Sequence, residues 1–585
     1  MPSIALPVSL RGQLLSGTRK FSPASLFSAN EPGVWFDPSD LTTLFQDPAG
    51  TTPVTAPGNT VGLMLDKSKG LVLGAELVVN GDFSNPVTTG WTATGGTISV
   101  VDGWLRLTSN TTLSFTGYSF PTVVGATYRV NSQWRSSAGS WRMLIGTSNG
   151  GNQIAAATSA GSGSLSVLFQ ATTTTTWVSV RSVSITSGDL VEIDNISVRE
   201  LAGNHATQAT LASRPNYGIE PVGGRRNLLT QTENFSSADW SKTDLTVSGN
   251  QVSYVGGLVG TKECVQLVSV PGGTASKVLT AYVTVSGSGK FRLKNTHSAV
   301  QDNFSANVTA TGSRQTIALT VTNSSSAGNG LQAISIINST DNAAFSLTVH
   351  EFQLELSSTA TNYQRVTTQY DVTEAGVAST SYLAFDGVDD GMVTGTITPG
   401  VDKVQVFAGV RKLSDAATGM IVESSADAGS NNGAFRFLVP GAAGYEYRQR
   451  GTLNAAGAAV SSGYASPITN VLTGLGDIGG DLATLRVNGT QVAQSTADQG
   501  TGNFLAYPLY IGRRGGSILP YSGRIYSLIT RFGANLDAGV ITNTETWVAG
   551  KTGISLAPPE TPNILTRSGD TILDRANSII ERRTV

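Results

Sequence analysis

Short runs in which apolar and polar residues alternate recur along this chain, most densely between Ser381 and Gly550. Ser381-Tyr-Leu-Ala-Phe-Asp-Gly-Val-Asp-Asp390 opens that region, and Leu485-Arg-Val-Asn-Gly-Thr-Gln-Val492 lies inside it. Leu509-Tyr-Ile-Gly-Arg-Arg514 and Tyr521-Ser-Gly-Arg-Ile-Tyr-Ser-Leu-Ile529 follow. A period of two turns one side of each run toward a core and the other toward water, which predicts half-buried antiparallel strands. Asn488-Gly489 is the favoured two-residue hairpin turn, because both central residues must adopt positive φ.

The same alternation fills two earlier regions. From Leu71 to Leu201 it appears in Trp104-Leu-Arg-Leu107, Tyr128-Arg-Val130, Trp141-Arg-Met-Leu-Ile145, Leu165-Ser-Val-Leu-Phe169, Trp177-Val-Ser-Val-Arg181 and Val191-Glu-Ile-Asp-Asn-Ile-Ser-Val-Arg199. These predict a self-contained β-sandwich. A second begins at Asn227, where Glu233-Asn-Phe-Ser236 before Trp240 mirrors Asn80-Gly-Asp-Phe-Ser84 before Trp91. Phe83 aligns with Phe235, and Ile196 and Val198 align with Phe352 and Leu354, at nearly one offset, which predicts an internal repeat. Val540, Ile541, Trp547 and Val548 predict a short helix within 535–550. Ile572, Leu573, Ile579 and Ile580 would share a face of another within 570–581. Residues 1–32, with Pro2, Pro7 and Pro23 and no sustained period, are read as an arm, either ragged or docked on a partner.

Composition narrows the class. The 585 residues suffice for about three or four domains. Only 13% are charged, and 38 basic against 40 acidic residues leave no global positive field to collect nucleic acid. No apolar run approaches the roughly 18 residues of a membrane span. The start of the chain lacks the basic region and apolar core of a signal peptide, so none is expected. A single cysteine, Cys264, excludes an intrachain disulfide and is expected to be a small buried hydrophobe. Exposure outside a cell would then need another route, such as a particle assembled in the host cytoplasm and released by lysis.

Tyr382-Leu-Ala-Phe-Asp-Gly-Val-Asp-Asp390, Leu485-Arg-Val-Asn-Gly489, and Leu509-Tyr-Ile-Gly512 with Tyr521-Ser-Gly-Arg-Ile-Tyr526 resemble strands of the concanavalin A-like (laminin G-like) lectin/glucanase superfamily. Gly33-Val-Trp-Phe-Asp-Pro-Ser-Asp-Leu-Thr-Thr-Leu-Phe-Gln-Asp47 resembles the opening of such domains in virion proteins of tailed bacteriophages and prophages. There, stretches like Val61-Gly-Leu-Met-Leu-Asp-Lys-Ser68 and Gly203-Asn-His-Ala-Thr-Gln-Ala-Thr210 follow. The two repeats resemble carbohydrate-binding-module jelly rolls, through Val79-Asn-Gly-Asp-Phe-Ser84 and the closing Ile193-Asp-Asn-Ile-Ser-Val-Arg-Glu200.

The resemblance implies an all-β protein of three antiparallel β-sandwiches, jelly-roll and concanavalin A-like, with one split by insertions and flanked by a terminal arm and a C-terminal helix. An arm over 1–32 precedes the split domain, whose pieces are 33–70, 202–225 and 372–550. Sandwiches at 71–201 and 226–371 are inserted at surface loops, and a tail with a short helix occupies 551–585. It also implies a virion location, as a tail or fibre-type appendage, with a capsid decoration or head fibre as the alternative. Other virion proteins would be contacted through the arm and the C-terminal helix, in a symmetric assembly with a trimer favoured.

Candidate chemistry is sparse. Sandwich glycosidases of this superfamily carry paired acids spaced as Glu-x-Asp-x-x-Glu, and no such motif occurs, so Glu423 and Glu446 stand alone and a polysaccharide hydrolase ranks last. The three histidines, His205, His297 and His350, are not at metal-ligand spacings. Sugar binding uses flat aromatic faces beside polar groups, which makes Trp134, Trp141, Tyr445 and Tyr447 candidate platforms for a host surface glycan. Alternation also sends half of all strand aromatics into the core, so core packing competes at each. No cofactor is expected, except that Asp386, Asp389 and Asp390 are candidate Ca²⁺ ligands without the even spacing of a calcium loop.

Overall fold

The computed structural model describes residues 21–556, apart from 112, 183–189, 258, 271–276, 298–300, 324–329, 454–457 and 461–462, together with 565–566 and 572–573. The chain divides into two compact units, one of 1–37, 65–207 and 387–585 and the other of 38–64 and 208–386. Both are built almost wholly of antiparallel strands.

In the first unit, one sheet runs in the order Trp91–Thr94, Phe115–Pro121, Thr175–Ser182, Thr127–Gly146, Leu190–Leu201, Trp104–Ser109, Gly96–Val101, with Ala155–Gln170 also paired to Thr127–Gly146. Alternation sets its faces: in Trp104–Ser109, Leu105 and Leu107 are buried between half-exposed Trp104 and Arg106. In the second unit the order is Ser241–Thr243, Glu263–Val270, Gly330–Asn338, Lys277–His297, Phe345–Glu355, Gln251–Tyr254, Thr246–Ser248, with Gln315–Asn323 also on Lys277–His297. Position for position the two orders are the same. The aligned aromatics sit alike as well: Phe83 lies 5.9 Å from Trp91, and Phe235 lies 4.7 Å from Trp240. Cys264 is fully buried in the second sandwich, where desolvation pushes its thiol up to about 12.

The first unit also holds two further runs of paired strands. One runs Gly33–Phe36, Ser522–Phe532, Lys403–Lys412, Ile468–Asp477, Leu482–Val487, Thr490–Ser495. The other runs Ala206–Thr207, Met392–Thr394, Leu509–Ile511, Gly419–Ser424, Ala434–Val439, Tyr445–Arg450, Ala458–Val460. Asn488 and Gly489 take φ of 51° and 82° between Leu482–Val487 and Thr490–Ser495, the geometry the hairpin requires. Trp35 pairs with Ile529 and Phe36 with Leu528, joining the start of the described chain to a strand near its end.

The predicted helix is Ala538–Thr552, closed by Gly553 in the left-handed conformation at φ 73°. Val548 and Ala549 pack on Trp35, Phe407, Val471 and Ile529. Its buried Glu545 is held by Arg486 from the Asn488-Gly489 hairpin at 2.7 and 3.0 Å.

Two terminal expectations change. Within the expected arm, residues 1–20 lie outside the described residues, but Leu26 and Phe27 are buried against Trp35 and Phe407 of the same unit. Arg531 pins this segment by donating to the Leu26 carbonyl and to Glu31, each at 2.8 Å. At the other end, Ile572–Leu573 pairs with Leu565–Thr566 as a two-residue antiparallel ladder where a helix was expected. Both pairs supply β-favouring residues, and neighbouring strand pairing competes with a short helix whose apolar stripe is incomplete. Ile579 and Ile580 lie outside the described residues.

Candidate functional site

The four candidate sugar platforms are all core residues. Trp134 and Trp141, on Thr127–Gly146, are 3% and 0% exposed, with ring centroids 5.2 Å apart. Tyr445 and Tyr447 are both 0% exposed. The Tyr445 hydroxyl accepts from Asn470 Nδ2 at 2.9 Å, and the Tyr447 hydroxyl donates to Gln449 Oε1 at 3.1 Å. With no accessible face, none of the four can stack a sugar ring, and the aromatic-platform expectation is corrected to core packing. Strand parity decides it. Glu446, Arg448 and Arg450 occupy the opposite positions of the same strand and take the outward face. Those charges were a legible signal that the tyrosines point inward.

The acidic loop does come together. Carboxylate oxygens of Asp386, Asp389 and Asp390 lie within 4.8 Å of one another. They offer hard oxygen ligands of the kind Ca²⁺ takes, and at one oxygen from each they supply three of its usual six to eight. Arg513 also donates to the Asp389 carbonyl at 2.8 Å, placing a cation beside them.

A buried polar hub went unrecognised in the sequence. Asp66 Oδ1 accepts the main-chain N–H of Trp35 and of Ser68, both at 2.8 Å, and its Oδ2 accepts Asn204 N–H and the Ser68 hydroxyl at 2.8 Å. His205 Nδ1 accepts the Asp66 N–H at 2.9 Å, while its Nε2 faces the Leu201 carbonyl at 3.2 Å. That arrangement assigns the proton to Nε2, so the ring is neutral. Burial holds its pKa below the ordinary histidine value, against the pull of Asp66. A Cβ on Gly203 (φ 137°) would stand 3.0 Å from the His205 ring and 3.2 Å from the Asp66 carboxylate, so this approach needs glycine. The hub ties together the segments that lead into and out of the first sandwich. Its chemistry is structural.

The two lone glutamates belong to a charged face. Tyr510, Glu423, Arg436 and Arg448 are direct cross-strand neighbours on four adjacent strands. They line the side opposite Val422, Phe437 and Tyr447, so they face away from the core. Glu423 is fully buried and accepts from Arg514 Nε at 2.9 Å and from the Ala428 N–H at 2.6 Å. Burial pushes its carboxyl above the usual carboxylate range despite Arg514. Arg514 also reaches Asp427 at 3.1 Å. Glu446 Oε1 takes Arg436 at 2.8 and 2.9 Å and lies 3.6 Å from Arg448 Nε. Single residues spaced far apart in the chain hid this pattern; only strand register brings them into one row.

No family model matches the chain, and no curated protein matches it. Solved structures similar to part of it include a carbohydrate-binding module described as "CBM4 structure and function" (14% identity, 21% of this chain, 99% of that chain, TM-score 0.19). Others are the CBM40 of Ruminococcus gnavus IT-sialidase bound to alpha2,3 sialyllactose (16% identity, 24% of this chain, 82% of that chain, TM-score 0.21) and the botulinum neurotoxin serotype D binding domain (12% identity, 28% of this chain, 42% of that chain, TM-score 0.23). Each likeness is partial, and none carries a ligand to this chain.

Proposed function

We propose that this protein is a non-catalytic structural component of a tailed-bacteriophage particle, carried as a tail or fibre-type appendage. In this reading, 33–70, 202–225 and 372–550 form one concanavalin A-like domain, and the sandwiches at 71–201 and 226–371 are insertions within it. The observation that supports it is the pairing of Gly33–Phe36 with Ser522–Phe532. The resemblance to phage virion proteins requires that the Gly33-Val-Trp-Phe36 opening belong with strands far along the chain. Burial of Trp134, Trp141, Tyr445 and Tyr447 favours a scaffold over an aromatic sugar cleft. Glu423 and Glu446 are each engaged by arginine, which suits structure better than proton transfer.

Antibody labelling of purified particles in the electron microscope tests this. Label on the tail or its fibres supports the reading, and label on the head supports a capsid decoration instead. Absence of the protein from washed particles overturns both. Mass measurement of the purified protein tests the trimer that such appendages favour.

A further inference from the structure

We propose that the charged face formed by Tyr510, Glu423, Arg436 and Arg448 binds the carboxylate of an acidic saccharide. This goes beyond the particle assignment and does not depend on it, since binding is read on the purified protein.

Two features of the face point to an anion. First, Arg436 and Arg448 are directly opposite one another on neighbouring strands, where like charges are unfavourable. One oxygen of Glu446 is shared between them, hydrogen-bonded to Arg436 and too far from Arg448 Nε for a hydrogen bond. Second, the Arg448 side chain is 29% exposed, and its Nε has no hydrogen-bond partner among the described residues. A desolvated N–H without an acceptor is costly, and a charged one more so. A planar carboxylate is the natural acceptor for an exposed guanidinium, taking two of its N–H groups at once.

The acidic groups decide what else the ligand must offer. Glu423, Asp427 and Glu446 are interleaved with the arginines, so a continuous polyanion such as a nucleic-acid backbone would meet repulsion along the row. A saccharide bearing spaced carboxylates supplies the anion for arginine and hydroxyl donors for Asp427, whose side chain is 40% exposed. Half-buried Tyr510, at one end of the row, gives an apolar face for a ring. An acidic peptide supplies the anion but lacks the hydroxyls.

The test is titration calorimetry with galacturonate and mannuronate tetrasaccharides, each compared with its methyl ester, which keeps the rings and removes the charge. Poly-glutamate serves as the peptide probe. The expected result is saturable binding of at least one acid form, weakened about tenfold or more in its ester and in Arg448→Gln. The melting temperature of Arg448→Gln should be unchanged, because that side chain is 29% exposed and its contact with Glu446, at 3.6 Å, is longer than a hydrogen bond. Equal binding of acid and ester, no binding of either acid form, unaltered binding by Arg448→Gln, or tighter binding of poly-glutamate would each overturn the proposal.

Discussion

His205 accepts the main-chain N–H of Asp66 through Nδ1, across 2.9 Å and 139 positions of sequence. The bond requires a neutral ring, and burial keeps the ring's pKa below the ordinary value near 6.5. The groups facing it are Asp66, which opposes this shift, and Arg129, which adds to it. The unfolded chain therefore binds this proton more readily than the folded one. The stabilisation is present above about pH 6.5 and is lost as pH falls below it. Thermal melts of the wild type should be flat from pH 8 to 7 and decline from about pH 6.5 toward 5. In His205→Asn that decline should shrink; an equal decline in both would disprove the role.

Gly33 has φ 148°, and a Cβ there would lie 2.0 Å from the Thr530 carbonyl oxygen. Gly33→Ala should force the first strand off Ser522–Phe532 at a cost of about 3 kcal/mol. Chemical denaturation measures the loss, and tryptophan emission should shift red as Trp35 leaves its pocket beside Trp547, now 5.7 Å away. An unchanged midpoint would mean that this strand pairing contributes little.

Trp141 is fully buried against Trp134. Trp141→Ala should destabilise the first sandwich by about 3–5 kcal/mol through the cavity it leaves. Saccharide binding by the fraction still folded should be unaltered. A variant with wild-type stability and lost binding would restore the platform reading.

Glu545 is 1% exposed at its side chain and answers Arg486, which is 22% exposed. Glu545→Ala leaves that arginine without its carboxylate in the helix–sheet interface and should cost about 3 kcal/mol. Pairing Glu545→Leu with Arg486→Met should recover most of the loss, because no charge then remains buried. Urea midpoints of the two variants decide it; equal losses would show that packing, not charge, dominates there.

The β-rich fold, the hairpin at Asn488-Gly489 and the helix near Trp547 were legible because each rests on local pattern: alternation, a turn pair, and apolar spacing. The repeat was legible because Phe83 and Trp91 recur as Phe235 and Trp240. Which face of a strand is buried was less so. Tyr445 and Tyr447 read as candidate platforms against a stronger pull toward the core, and the neighbouring Glu446 and Arg448 decide for the core. The Asp66–His205 hub joins residues 139 positions apart, and the row from Tyr510 through Glu423 to Arg448 needs the register of four strands; no local period encodes either. At Ile572–Leu573 a strand pair stands where a helix was expected, because a few apolar residues fit a strand as well as a turn of helix.

The Arg531 guanidinium donates to the Leu26 carbonyl, 505 positions earlier. On a ribosome adding about 5–20 residues per second, the Leu26 end of that bond waits on the order of 25–100 s for its partner. Throughout that interval Trp35 and Phe36 have no strand to cover them, while the first sandwich, complete by Leu201, can already close. Synthesis thus orders assembly from the inside outward. A chain stopped short of Ser522 would keep the strands of 71–201 and expose the apolar strand Gly33–Phe36, a surface for chaperones or for a second copy to seize.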